Sequence, residues 1–82
     1  VHAGDRPDLA SVAEAVRATA EHRALLEQAK GALRYLLDAD EGQAFTQLAQ
    51  RARATRAPVT EVAREVMETI TAGRRPDWLP DA

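Results

Sequence analysis

From Asp8 to Leu37, thirty residues in a row hold nothing that breaks a helix except one glycine, Gly31. Within that stretch Leu9, Val12, Ala13, Val16, Ala20 and Ala24 recur at three-four spacing, and so do Leu26, Ala29, Leu33, Leu36 and Leu37. Such spacing is the signature of an amphipathic helix. At about 1.5 Å per residue it would run roughly 45 Å. Gly31 costs a helix interior roughly 1 kcal/mol relative to alanine. A helix that carries this cost needs the missing side chain, either for close packing or for close approach of a partner.

The rest of the chain divides into two shorter helical patterns. Asp38-Ala39-Asp40 makes a turn, and Asp40 with Gln43 fits a capping box, so a second helix is expected from Glu41. Its expected apolar face is Ala44, Phe45, Leu48 and Ala52. Pro58 is expected to end it, because proline biases the preceding residue away from helix. Thr60 is expected to cap a third helix with Val62, Ala63, Val66, Met67 and Ile70 facing the core, and Gly73 to stop it. Two helices of roughly 20 Å cannot cover one of 45 Å. They can pack on its second half, from about Arg23 to Leu37. The first half then keeps an uncovered apolar stripe through Leu9, Val12, Ala13, Val16 and Ala20, for which a coiled-coil dimer is the simplest partner. Two seams are open. A heptad through Leu9, Val12 and Val16 meets Thr19 and Arg23; an alanine-lined seam runs through Ala13, Ala20 and Ala24.

The expected architecture is therefore all-α: a small three-helix domain whose long first helix extends as a coiled-coil or dimerisation segment. Residues 1–7 read as a linker or disordered end, 8–22 as the helical dimerisation extension, 23–72 as the three-helix domain and 73–82 as an extended tail. The chain begins at Val1 rather than Met, consistent with a piece of a longer protein.

Composition narrows the chemistry. At 82 residues one domain is expected, and a domain this short is marginal alone, which oligomerisation would remedy. There is no cysteine, which fits a reducing cytoplasm and rules out thiolate metal sites. His2 and His22 have no companion at ligand spacing, and Ser11, the only serine, has no base nearby. Asp38, Asp40 and Glu41 read as turn, cap and first-turn charge. The glycines are isolated, so no phosphate-cradling loop is present. Neither an enzyme nor a cofactor is expected, and no membrane-spanning or signal segment is visible.

The net charge of −2 argues against a general nucleic-acid binder, but the charge is unevenly placed. Between Gly42 and Val59 there are three arginines (Arg51, Arg53, Arg56) and no acid. Lys30 and Arg34, four apart, share one helix face. A flat surface around Ala29 and Gly31, rimmed by Lys30 and Arg34 and extended or not by Arg53 and Arg56, would let an RNA backbone approach closely. Two other readings stay open. A DNA-binding helix-turn-helix over Leu48 to Val66 lacks the turn glycine, and Glu61, Glu65 and Glu68 against Arg64 would repel phosphates. A protein-interaction module would use the stripe from Leu9 to Ala20 and a tail whose Trp78 and Leu79 dock on a partner.

Three segments carry a resemblance: Gln28-Ala29-Lys30-Gly31, then Asp40-Glu41-Gly42-Gln43-Ala44-Phe45, then Val59-Thr60-Glu61-Val62-Ala63. In order and separation they resemble the ANTAR domain, the RNA-binding module of bacterial transcription antiterminators, over roughly residues 23 to 71. The resemblance implies a three-helix unit, often C-terminal to a receiver, GAF or PAS sensor. It implies a homodimer that holds a two-hairpin RNA in a nascent transcript, reads its loops, and so prevents a terminator from forming. By motif position it implies RNA contacts at Gln28, Ala29, Lys30 and Gly31, and core roles for Ala44, Leu48, Val62 and Ala63. The chain departs from the family at Ala32-Leu33-Arg34, where arginine stands for methionine. It departs again at Ala49-Gln50, where basic residues are usual, and at Arg56-Ala57-Pro58, where asparagine and basic residues are favoured.

Overall fold

The computed structural model describes residues 8–80; the expected linker at 1–7 lies outside the described residues. Three helices follow in order: α1 Leu9–Leu37, α2 Glu41–Thr55 and α3 Val59–Thr71. The protein is all-α, with no strand among the described residues.

Each helix end is set by local chemistry. Asp8 caps α1, its carboxylate accepting from the Ala10 N–H at 3.3 Å and from the Ser11 hydroxyl at 3.1 Å. Asp38 ends α1 in the left-handed region at φ 50°, a conformation aspartate tolerates better than most residues. The capping box at the start of α2 is present in both directions. The Asp40 carboxylate accepts from the Gln43 N–H at 2.7 Å, and the Gln43 side chain accepts from the Asp40 N–H at 2.9 Å.

The junction between α2 and α3 differs from expectation. Arg56, left-handed at φ 56°, terminates α2, while Pro58 opens α3. The Pro58 carbonyl accepts from the Glu61 and Val62 N–H groups. Thr60 is thus inside α3 and does not cap it; no side chain caps this helix. Proline's fixed φ already presents its carbonyl for the first helical bonds. Gly73, at φ +79°, follows the end of α3 as expected.

The core is small and shared evenly. Ala29 and Leu33 come from α1, Ala44 and Leu48 from α2, and Val62, Ala63 and Val66 from α3. One fully buried alanine from each helix lets the backbones approach, and the leucines and valines fill the space between them. Phe45 is not part of this face. It is 44% exposed, because the α2 stripe runs through Ala44, Leu48 and Ala52 and leaves residue 45 on its flank.

The tail is not extended. Leu79 joins the core, Pro76 is buried, and Trp78 packs against the same cluster. Trp78 lies under the Arg51 guanidinium, 5.5 Å from ring centroid to Cζ. A contact of this kind contributes about 0.5–2 kcal/mol. The Arg75 guanidinium donates to the Leu79 carbonyl at 3.4 Å and to the Pro80 carbonyl, closing the turn. Trp78 and Leu79 therefore dock within their own chain, not on a partner.

Among the described residues nothing packs on the N-terminal half of α1. Leu9, Val12 and Val16 are 82%, 42% and 63% exposed. The molecule is drawn out to 57 Å along one axis against 23 and 21 Å along the others.

Lys30 ties α1 to the start of α2. Its ammonium pairs with Glu27 at 2.8 Å and with Glu41 at 3.0 Å. The hydrogen bonds to Glu27 and Glu41 hold the lysine above its ordinary pKa. The hydrogen bond from Lys30, then its charge, holds Glu41 below the usual carboxylate value. A depressed carboxylate stabilises the fold above its unfolded pKa, and that contribution is lost as pH falls through the folded value. Glu41→Gln is expected to flatten the acid limb of a stability profile between about pH 5 and pH 3. Melting temperatures across that range check it, and an unaltered limb would show that the tie carries no weight. Leu79→Ala is expected to lose about 2–5 kcal/mol in urea unfolding followed by the fluorescence of Trp78. A loss below about 0.5 kcal/mol would mean that the tail does not stabilise the domain.

Candidate nucleic-acid interface

The face of α1 opposite the core carries the residues of interest. Ala29 and Gly31 are two positions apart, close to half a helical turn, so when one is buried the other faces out. Ala29 is fully buried and belongs to the core. Its expected place among RNA contacts is corrected accordingly: no atom of its side chain can reach a ligand. Gly31 is exposed, and a Cβ added there would meet nothing within 4 Å. Packing within the chain therefore gives no reason for the glycine. Of the two explanations open for Gly31, close approach of something outside the chain remains.

Gln28 is exposed one turn before Gly31. Lys30 sits on the flank next to α2 with only 15% of its side chain exposed, held between Glu27 and Glu41. Arg34 is exposed one turn further along that flank, and its charge also helps depress Glu41. Glu27, Lys30, Arg34 and Glu41 together sum to no net charge. Attraction of phosphate here falls mainly to Arg34, since Lys30 already faces two carboxylates.

Arg53 and Arg56 are both exposed, but the structure does not bring them to Lys30 and Arg34. Glu41 opens α2 and lies against Lys30, whereas Arg53 and Arg56 close it. Twelve to fifteen residues of helix separate the groups by about 18–22 Å. The cations form two clusters at opposite ends of α2. Arg51, the third arginine of that stretch, is half-buried over Trp78, with its Nε and the Trp78 Nε1 both lacking a hydrogen-bond partner. The signal for it was present: Arg51 follows the core residue Leu48 by three, which turns its stem inward.

The expected dimerisation residues Leu9, Val12, Ala13, Val16 and Ala20 are all exposed on the overhanging half of α1. Val16, Thr19, Ala20, Arg23 and Ala24 line a shallow apolar depression there. On α3, Glu61, Arg64, Glu65 and Glu68 are exposed, an acidic face unsuited to a DNA groove. Among the described residues there is no cluster able to hold a metal ion, and no helix is long and apolar enough to cross a membrane.

No curated protein and no solved structure was found to match the chain. The family model of the ANTAR domain matches residues 14–67. That interval holds every buried core residue of the three helices, together with Gln28, Gly31 and Arg34. It covers more than half of the chain, which therefore belongs to the ANTAR domain family of RNA-binding antitermination regulators.

Proposed function

We propose that this protein acts as a dimer that holds a two-hairpin antiterminator RNA in a nascent transcript. The observation that carries the reading is Gly31: a helix-interior glycine, exposed, with no neighbour in its own chain to require it. Gln28 beside it offers both donor and acceptor groups to unpaired bases, and Arg34 offers a cation to phosphate or a plane to a base. Arg53 and Arg56, at the far end of α2, reach a separate stretch of backbone.

Dimerisation would use the overhang of α1. Ala13 and Gly31 are eighteen residues apart, five turns at about 3.6 residues each. The apolar stripe and the Gly31 face therefore lie on the same side of the helix. A parallel pair joined through Leu9, Val12, Ala13, Val16 and Ala20 would turn its two Gly31 faces toward one another. Two heads and two hairpins then match in number. The exposed stripe also favours the second reading, a helical dimerisation module without RNA binding.

Fluorescence anisotropy with a two-hairpin RNA, the same RNA with altered loops, and duplex DNA separates the two. Preference for the intact loops is the expected result, and failure to bind any of the three would favour the dimerisation module. If about four basic groups meet phosphates on single-stranded loops, log affinity should fall against log salt with a slope near −3. Arg34→Ala removes one cation from each protomer and should lessen that slope by about 1.4, and so should Arg53→Ala if the second cluster touches the same RNA. An undiminished slope removes the residue from the interface. Removing residues 1–20 spares every core residue and is expected to leave a folded monomer by sedimentation. A persistent dimer would place the interface elsewhere.

A further inference from the structure

Tyr35 is the only tyrosine of the chain and, at 89%, the most exposed large apolar side chain among the described residues. It follows Gln28 by seven positions and Gly31 by four, so the three share one face of α1. Gly31 leaves that face bare for one turn on the N-terminal side of the ring. Long helical side chains lean toward the helix N-terminus, so the ring tilts over the bare turn.

We propose that Tyr35 is an RNA-contact residue whose ring stacks on an unpaired loop base, with Gly31 making room for the nucleotide and Gln28 in reach of the base edge. The inference rests on the RNA reading and adds to it a contact that the cations do not supply. Aromatic rings take unpaired bases on their faces. The surroundings favour a base over a second copy of α1. Tyr35 lies about 16 Å along the helix from Ala24, the last residue of the apolar depression. The positions three and four away from it are Gly31, Ala32, Asp38 and Ala39, small or polar groups and not the contiguous large apolar area that a helix seam requires. A single aromatic set among small and polar groups suits one planar ligand.

The test uses the full chain and a two-hairpin RNA that the wild type selects from a pool with randomised loops. Tyr35→Ala should weaken binding roughly 5- to 150-fold. Tyr35→Leu, which keeps apolar area and loses the ring, should weaken it similarly, and Tyr35→Phe should stay within about threefold of wild type. The salt slope should not move, because no phosphate contact is lost. Wild-type binding with an unaffected Tyr35→Ala variant overturns this proposal and leaves the RNA reading standing. Loss of the dimer on sedimentation of Tyr35→Ala also overturns it, since the ring would then belong to a protein interface. A wild type that selects no RNA overturns the RNA reading, and the stacking role with it.

Discussion

Two helices of fifteen and thirteen residues can shelter only half of one with twenty-nine, and the rest of this protein follows from that mismatch. Where α2 and α3 reach, α1 buries Ala29 and Leu33 and the three backbones close on one another through single alanines. Where they do not reach, α1 runs on with Leu9, Val12 and Val16 in water. A stripe of that kind on so small a domain is costly unless another surface covers it. The same rigid helix joins both halves, so whatever pairs the overhang also sets the direction in which the Gly31 face points.

Fewer cations are free on the candidate interface than the count of basic residues implies. Lys30 is engaged by Glu27 and Glu41, and Arg51 is engaged by Trp78. Their work is structural: one pins the start of α2 to α1, the other holds the tail across α2. Arg34, Arg53 and Arg56 remain exposed. With so few free cations on an acidic protein, recognition of RNA would depend on shape and on contacts to unpaired bases, which an exposed glycine, an amide and an aromatic ring can supply.

The tail alters what counts as the domain. The family match ends at residue 67, yet Leu79 is as much part of the core as Val62. Pro76 and Leu79 close the end of the bundle, and Arg75 holds their turn through backbone carbonyls. The three-helix unit here is completed by an irregular segment with its own buried contacts.

Features set by neighbours in sequence were legible in advance. Asp8, the Asp40–Gln43 box and Gly73 act within a few residues of themselves, so their patterns alone located the starts of α1 and α2 and the end of α3. The core positions of α1 and α3 were legible as well, because three-four spacing marks a buried face whatever covers it. Features that depend on distant segments were not. Thr60 had the chemistry of a cap, but the backbone entered the helix two residues earlier at Pro58. Phe45 had the hydrophobicity of a core residue, but the alanine beside it faced the bundle. Ala29 belonged to a motif with an RNA role, but sits half a turn away from the exposed Gly31. The partnership of Arg51 with Trp78 and of Lys30 with Glu41 joins residues 27 and 11 positions apart. The sequence by itself determined three helices, their lengths and hence the uncovered half of α1, since these follow from local periodicity and capping. Only the tertiary structure decided which cations are spoken for, where the tail lies and which side of α1 stays bare, because those depend on what packs against what.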